Sequence, residues 1–312
     1  MHPLAQALAG ISVLERGWLS SNNILVHAAG DEPGAWLIDT GHANHAAQTV
    51  ALVRHALAGQ PLVGIANTHL HNDHCGGNAA MQRAFALRPW VAASLLDAVR
   101  HWDTARLGFE AIGHHCERFD VGGALAPGDV LCAGGRHWQA LAAPGHDPDS
   151  LMLFDAERGV LISADALWED GFGLVFPELI GQPGFDDVGA TLDLVDALPV
   201  KCVIPGHGPA FADVAAALGR ARSRLAAFKA DPRRHARHAM KALLKYHLME
   251  VRQQPIDELL SWAASAPWMR QVLDAGAARS GQSAAAWCEG LLQELVAARL
   301  LSVGGGLVRD AA

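Results

Sequence analysis

Ten consecutive residues restrict this chain more than any others: Thr68-His69-Leu70-His71-Asn72-Asp73-His74-Cys75-Gly76-Gly77, with three imidazoles and a carboxylate inside six positions. Such a density of ligating groups reads as a metal site rather than a solvated polar loop, because histidine is intermediate in burial and has little reason to cluster without chemistry. The apolar run Leu62-Val63-Gly64-Ile65-Ala66 precedes the stretch and a Gly-Gly pair closes it. The pattern predicts a loop that leaves a buried strand and enters a helix. On an extended loop, residues two apart share a side. His69, His71 and Asp73 then converge, while His74 faces the other way toward a second ion. Neutral imidazole with carboxylate suits zinc, or iron or manganese in its place.

Four more stretches have the same character. Asp39-Thr40-Gly41 follows the apolar Ala35-Trp36-Leu37-Ile38, and Ala143-Pro144-Gly145-His146, Ser163-Ala164-Asp165 and Pro205-Gly206-His207-Gly208 come later in the chain. Together with the H-x-H-x-D-H signature, and in this order, they resemble the metallo-β-lactamase fold superfamily over about residues 11 to 212. The resemblance implies a dinuclear centre in which one metal takes His69, His71 and His146 and the other takes Asp73, His74 and His207. Asp165 would bridge the two, and Asp39 would stand behind the ligands. Two zinc ions are the expected cofactor, with iron or manganese as substitutes. Two features depart from the family pattern: Ala164 replaces the usual glycine before the bridging carboxylate, and Asp147 and Asp149 follow His146 where small neutral residues are usual. The second departure adds negative charge near the site.

A length of 312 residues, with 51% hydrophobic and 18% charged, suits a folded chain of two domains or one large domain with an appendage. The opening Met1-His2-Pro3-Leu4 has no basic region ahead of an apolar core, and no apolar run approaches the roughly 18 residues needed to span a bilayer. Neither export nor membrane insertion is expected. Five cysteines (75, 116, 132, 202 and 288) are odd in number and lack paired spacing, so a reducing cytoplasm is the expected location. Cys75 reads as a small residue packed behind the metal loop. From Phe211 onward 14 Lys and Arg face 9 Asp and Glu, which leaves a net charge of −13 for the first 210 residues against −8 for the whole. The catalytic half is therefore acidic and the tail basic.

In chain order, alternating apolar runs and turns over residues 11 to 40 predict antiparallel strands, and 46 to 57 a helix. Residues 79 to 86 and 91 to 100 read as helices, and Phe119 to Ile162 returns to strands. Asp186 to Leu198 is amphipathic, and Val200 to Ile204 is the strand that delivers His207. The expected fold class is α/β (α+β): an αββα sandwich with the ligands at strand ends, followed by a smaller, mainly helical domain. The expected division is 1–219 and 220–312. Within the tail, helices are expected over 214–230, 233–251 and 285–299 with a short one at 256–260. A glycine-tipped hairpin at 300–309 completes a winged-helix-like module, which in several members of the superfamily covers the cleft.

The aromatic segment Trp168 to Phe176 is placed either to wall a substrate pocket or to pack beneath a loop. His114 and His115 are further cleft candidates. His2, His27, His42, His45, His137, His235 and His247 are expected to be surface or hydrogen-bonded residues. The resemblance implies metal-dependent hydrolysis of a small ester, thioester or lactone, with Asp73 also carrying a proton to the leaving group. Related lactonases place a tyrosine near the bridging carboxylate. The single tyrosine here, Tyr246, serves that reading only if the tail folds over the metals. Alternatives are a nuclease, whose phosphates Arg233, Arg234, Arg237, Lys241 and Lys245 would track, and an iron-dependent sulfur dioxygenase. The expected partner is a small molecule, with neither nucleic acid nor membrane, and a homo-oligomer is left open.

Overall fold

The structure, a computed structural model, describes residues 3–109 and 115–311. His2 and His114 lie outside the described residues. Among those described, two sheets face each other. In the first, β1 (Ile11–Leu14), β2 (Asn23–Val26), β3 (Ala35–Ile38), β4 (Leu62–Ala66), β5 (Trp90–Ala92) and β6 (Gly123–Leu125) lie side by side in chain order. Short turns make β1 to β3 antiparallel, whereas helical crossovers such as Ala46–Leu57 and Asn78–Phe85 return the chain for the parallel pairs from β3 to β6. In the second sheet β7 (Val130–Ala133), β8 (Arg136–Ala142), β9 (Leu151–Asp155) and β10 (Val160–Ala164) are antiparallel. The helix Phe185–Ala197 then delivers β11 (Cys202–Pro205) parallel to β10.

Alternation along each strand separates three layers of core. Ile24 and Val26 of β2 face Val160 and Ile162 of β10 between the sheets, together with Trp138 and Leu153. Leu25 packs outward on Val53, Leu57 and Met81 of the crossover helices. Leu161 packs the other way on Val188, Leu192, Ala217 and Leu225 of the helices Phe185–Ala197 and Val214–Ala230. Strands covered on both faces must be apolar throughout, and the result is the αββα sandwich expected from the sequence.

Some local expectations differ from the structure. Residues 91 to 100 do not form one helix: Trp90–Ala92 is β5, then Ala93–Leu95 is a 3-10 turn and Leu96–His101 a helix. A short apolar run satisfies either period, and parallel pairing with β4 and β6 decides in favour of the strand. The helix Val214–Ala230 runs through residues 219 and 220 and is buried against the sandwich, so the chain leaves that core at Asp231, extended at φ −142°. In the tail, the helix Pro232–Val251 packs with Ile256–Ser265, Pro267–Ser280 and Ala284–Ala297. The helix Pro267–Ser280 lies outside the expected set, although Pro267 at its first turn and Gly281 beyond its end are start and stop signals. The hairpin lies where expected, as β13 (Leu301–Gly304) and β14 (Leu307–Asp310), with β12 (Gln253–Pro255) added on the far side of β14. Phe176 and Leu179, from the loop after Asp165, share one core with Leu243, Met269 and Leu291 of the tail. That shared core holds the helix Pro232–Val251 across the ends of the strands.

Candidate metal centre

Every candidate ligand lies where a strand ends. His69 and His71 follow β4, His146 follows β8, Asp165 follows β10 and His207 follows β11. At Asn72 the first loop turns into the short helix Asn72–Cys75, which ends the extended stretch. Asp73 therefore swings away from His69 and His71, and the two-apart alternation holds only as far as His71. The side chains form two groups, His69 with His71 and His146, and Asp73 with His74, Asp165 and His207, each with ligand atoms within 4.8 Å of one another.

In the first group His71 Nδ1 lies 3.1 Å from His69 Nε2 and 2.8 Å from His146 Nε2. In the second, His207 Nε2 is 3.1 Å from Asp73 Oδ2, and His74 Nε2 is 3.4 Å from Asp165 Oδ1. Tetrahedral nitrogen or oxygen ligands at 2.0–2.1 Å from zinc stand about 3.3 Å apart, so both groups have the spacing of a metal shell. Asp165 lies between them, its Oδ2 being 3.4 Å from His146 Nε2 while Oδ1 faces His74. His74 Nε2 is buried without a well-aligned hydrogen bond, its near carboxylate oxygen being Asp165 Oδ1 at 3.4 Å, an arrangement that a cation between the two would satisfy. These donors fit divalent metals.

The outer nitrogen of each imidazole is also held, and this fixes ring orientation. His74 Nδ1 is 2.8 Å from Asp39 Oδ2, His146 Nδ1 is 2.6 Å from the Leu174 carbonyl, and His207 Nδ1 is 3.2 Å from that of Gly17. His71 Nε2 lies 3.5 Å from Asp147 Oδ2, while Asp149 pairs with Arg106 at 2.7 Å. The two extra carboxylates are thus answered locally. Backbone conformation explains the other departure: Ala164 sits at φ 47°, in the left-handed region that glycine adopts more easily. At Gly206 a Cβ would meet Asp165 Oδ1 at 2.2 Å, so only glycine admits the Asp165 carboxylate there.

Charge separates the groups as well. Burial pushes His71 and His146 down to about 4, and drives His69 well below the usual histidine value, leaving three neutral imidazoles with lone pairs to donate. In the second group burial opposes charge, but the carboxylates of Asp165, Asp39 and Asp73 outweigh it and hold His74 well above its ordinary value. Asp165 stays well below the usual carboxylate range for the reciprocal reason. A site that gathers protons against its own burial is one that attracts cations.

Above the ligands lies a chamber of about 300 Å³. Trp168, Leu174 and Phe176 wall it, so the aromatic segment reaches the site, except for Phe172, which is buried in the outer core. Trp18 stacks on His207 with ring centroids 5.5 Å apart, and Trp168 donates its indole N–H to Asp165 Oδ1 at 3.1 Å. The tail helix roofs the chamber with Ala242, Leu243, Tyr246 and Met249. Tyr246 Oη donates to Asn72 Oδ1 at 2.8 Å, and Asn72 also contacts His42, which pairs with Glu250 of the same helix at 3.2 Å. His42 had no assigned part in the sequence; its place directly after Asp39-Thr40-Gly41 was the available signal. Tyr246 stands out in the sequence as the single tyrosine, whereas Trp18, Ala242, Leu243 and Met249 carried no signal, because they are distant in sequence and apolar. His115 is exposed and does not line the chamber.

Residues 16–207 match the family model of the Metallo-beta-lactamase superfamily, and the chain belongs to that superfamily. Among curated proteins it is similar to human acyl-coenzyme A thioesterase MBLAC2, 29% identical over an alignment of 168 residues that covers 48% of this chain and 57% of that protein. It is also similar to the hydroxyacylglutathione hydrolase of Cereibacter sphaeroides, 29% identical over 150 residues, 47% of this chain and 48% of that one. The chain spans about half the length of the curated relatives it matches. A metallo-beta-lactamase family protein from Thermus thermophilus superposes at TM-score 0.56 and 20% identity over 97% of this chain and 99% of its own. A beta-lactamase domain protein from Burkholderia ambifaria does so at 0.57 and 19%, over 97% and 93%. The shared fold therefore includes the tail. No helix among the described residues is long and apolar enough to cross a membrane.

Proposed function

We propose that this chain is a dinuclear metal-dependent hydrolase of small thioesters and related esters, with His69, His71 and His146 holding one ion, Asp73, His74 and His207 the other, and Asp165 bridging. The observation that carries the reading is the pair of ligand groups at the floor of an apolar chamber closed by the tail. When bound, such ions supply a Lewis acid for the carbonyl oxygen and a water acidified toward pKa ~7. Asp39, Leu174 and Gly17 hold the imidazoles in register through their outer nitrogens. Trp18, Trp168 and Phe176 exclude bulk water around the scissile bond. As water adds to the carbonyl carbon, a carboxylate oxygen of Asp73 takes its proton and passes it to the leaving sulfur, so that the C–S bond breaks to give an acid and a thiol. The similarity to a thioesterase and to a hydroxyacylglutathione hydrolase supports this reaction class.

Tyr246 in the chamber favours a second reading within the same chemistry, lactone hydrolysis. Nuclease activity fits less well. Arg233 pairs with Asp231, Arg237 and Lys241 with Glu294, and Lys245 with Asp310, so four of the five tail cations already face carboxylates. Metal analysis with a panel of thioesters, lactones and RNA tests the proposal. Close to two ions per chain with thioester turnover is expected; a single iron with sulfur oxidation would replace the proposal by a dioxygenase.

A further inference from the structure

Resting on the hydrolase reading, we infer that the chamber is an acyl pocket for unsubstituted chains of medium length, and that the tail helix, through Ala242 and Met249, sets that length. Its walls and roof are apolar apart from Tyr246, Lys245 and the ligands on the floor. Both polar side chains are already engaged: Tyr246 Oη with Asn72 Oδ1, and Lys245 Nζ with Asp310 and the Leu300 carbonyl at 2.9 Å. A hydroxyl on the acyl chain would lose its water to an apolar wall, which penalises a hydroxyacyl group against a plain one. A chamber of about 300 Å³ is at the small end of ligand pockets, which suits an acyl chain of medium length, near octanoyl, rather than a long one. The rim continues the apolar surface, with Trp18 58% and Leu300 45% exposed where the chamber meets solvent. Ala242 is the smallest roof residue, so its side chain leaves room that a larger one would occupy, and Met249 is the long, flexible side chain on the same roof whose removal would lengthen the space.

The test uses the metal-loaded full chain with acetyl to decanoyl thioesters of N-acetylcysteamine, a lactoyl thioester, and calorimetry with octanoate and acetate. In the wild-type protein kcat/KM rises about fourfold per methylene up to about octanoyl, the increase appearing in KM, and lactoyl is no better than propanoyl. Ala242→Phe lowers the octanoyl-to-acetyl ratio at least tenfold, and Met249→Ala moves the optimum to a longer chain. Octanoate binds more tightly than acetate, and Ala242→Phe removes the difference. Thioester turnover with no dependence on chain length, or with lactoyl preferred, overturns the pocket and leaves the hydrolase standing. Selective octanoate binding without thioester turnover does the reverse. Octanoate binding no tighter than acetate overturns the pocket whatever the activity.

Discussion

Replacing Asp39 by asparagine tests whether the metal centre is held in register from behind. Asp39 Oδ1 accepts from the Thr68 backbone N–H at 2.9 Å, and Oδ2 accepts from Thr68 Oγ1 and faces His74 Nδ1, both at 2.8 Å. With His74 bound to a metal through Nε2, its Nδ1 carries a proton and must donate. Asparagine keeps the shape but turns one acceptor oxygen into an NH2 group that meets a donor. A hydrogen bond to a buried charged group contributes roughly 1.5–3 kcal/mol, and loss of such an outer partner typically weakens metal affinity about 10- to 100-fold, or about 1.4–2.8 kcal/mol. The two figures agree, so a weakening in that range is expected for the ion on Asp73, His74 and His207. Competition against a chromophoric chelator measures it directly. Thermal unfolding supplies an independent reading, because metal at a hundred times the wild-type Kd stabilises by about 2.7 kcal/mol, and a hundredfold weaker site leaves about 0.4 kcal/mol. A folded Asp39→Asn protein that binds both ions as tightly as wild type would refute the argument.

Gly206→Ala forces the Asp165 carboxylate, the proposed bridge, aside, since the new Cβ would lie 2.2 Å from its Oδ1. Loss of at least one ion and a fall in activity of about a hundredfold or more are expected, while Gly219→Ala, in open space on an exposed helix surface, should retain both. His235 is 2% exposed, accepts from the Val175 N–H at 3.3 Å, and is pushed down to about 4 by burial and then by His238. Its folded value lies below the unfolded one of about 6.5, so the neutral form is the stabilising one. That contribution is complete above pH ~6.5 and lost as pH falls toward 4, amounting to about 2 kcal/mol by pH ~5. His235→Gln should flatten this part of the stability profile, and an unchanged acid slope in urea titrations would count against it. The double charge reversal Arg233→Glu with Arg237→Glu should alter KM for an anionic thioester only modestly and leave kcat intact. Tight RNA binding with a log–log salt slope of about −0.7 per contact, abolished in that double variant, would instead establish a nuclease.

The candidate ligand set was legible because metal chemistry demands particular side chains at particular spacings, and a run such as His69 to His74 has few other uses. The two-sheet architecture was legible for a related reason, since strands buried on both faces must read as apolar runs, as Leu151–Asp155 and Val160–Ala164 do. Local signals failed where two conformations satisfied the same short pattern. Trp90–Ala92 became a strand only because β4 and β6 stand on either side of it, and Asp73 joined His207 only because the loop turned helical at Asn72. The chamber was beyond local reading altogether. Trp18, Ala242, Met249 and Leu300 are ordinary apolar residues spread over most of the chain, and any of them could have been core. What brings them together is the burial of Phe176 and Leu179 in the core of the tail, which swings the helix Pro232–Val251 over the strand ends. Sequence alone picked out the candidate metal-binding side chains, because ligand capacity is a property of each side chain. Tertiary structure decided what is enclosed above them, because an apolar wall is defined by its neighbours and not by its own chemistry.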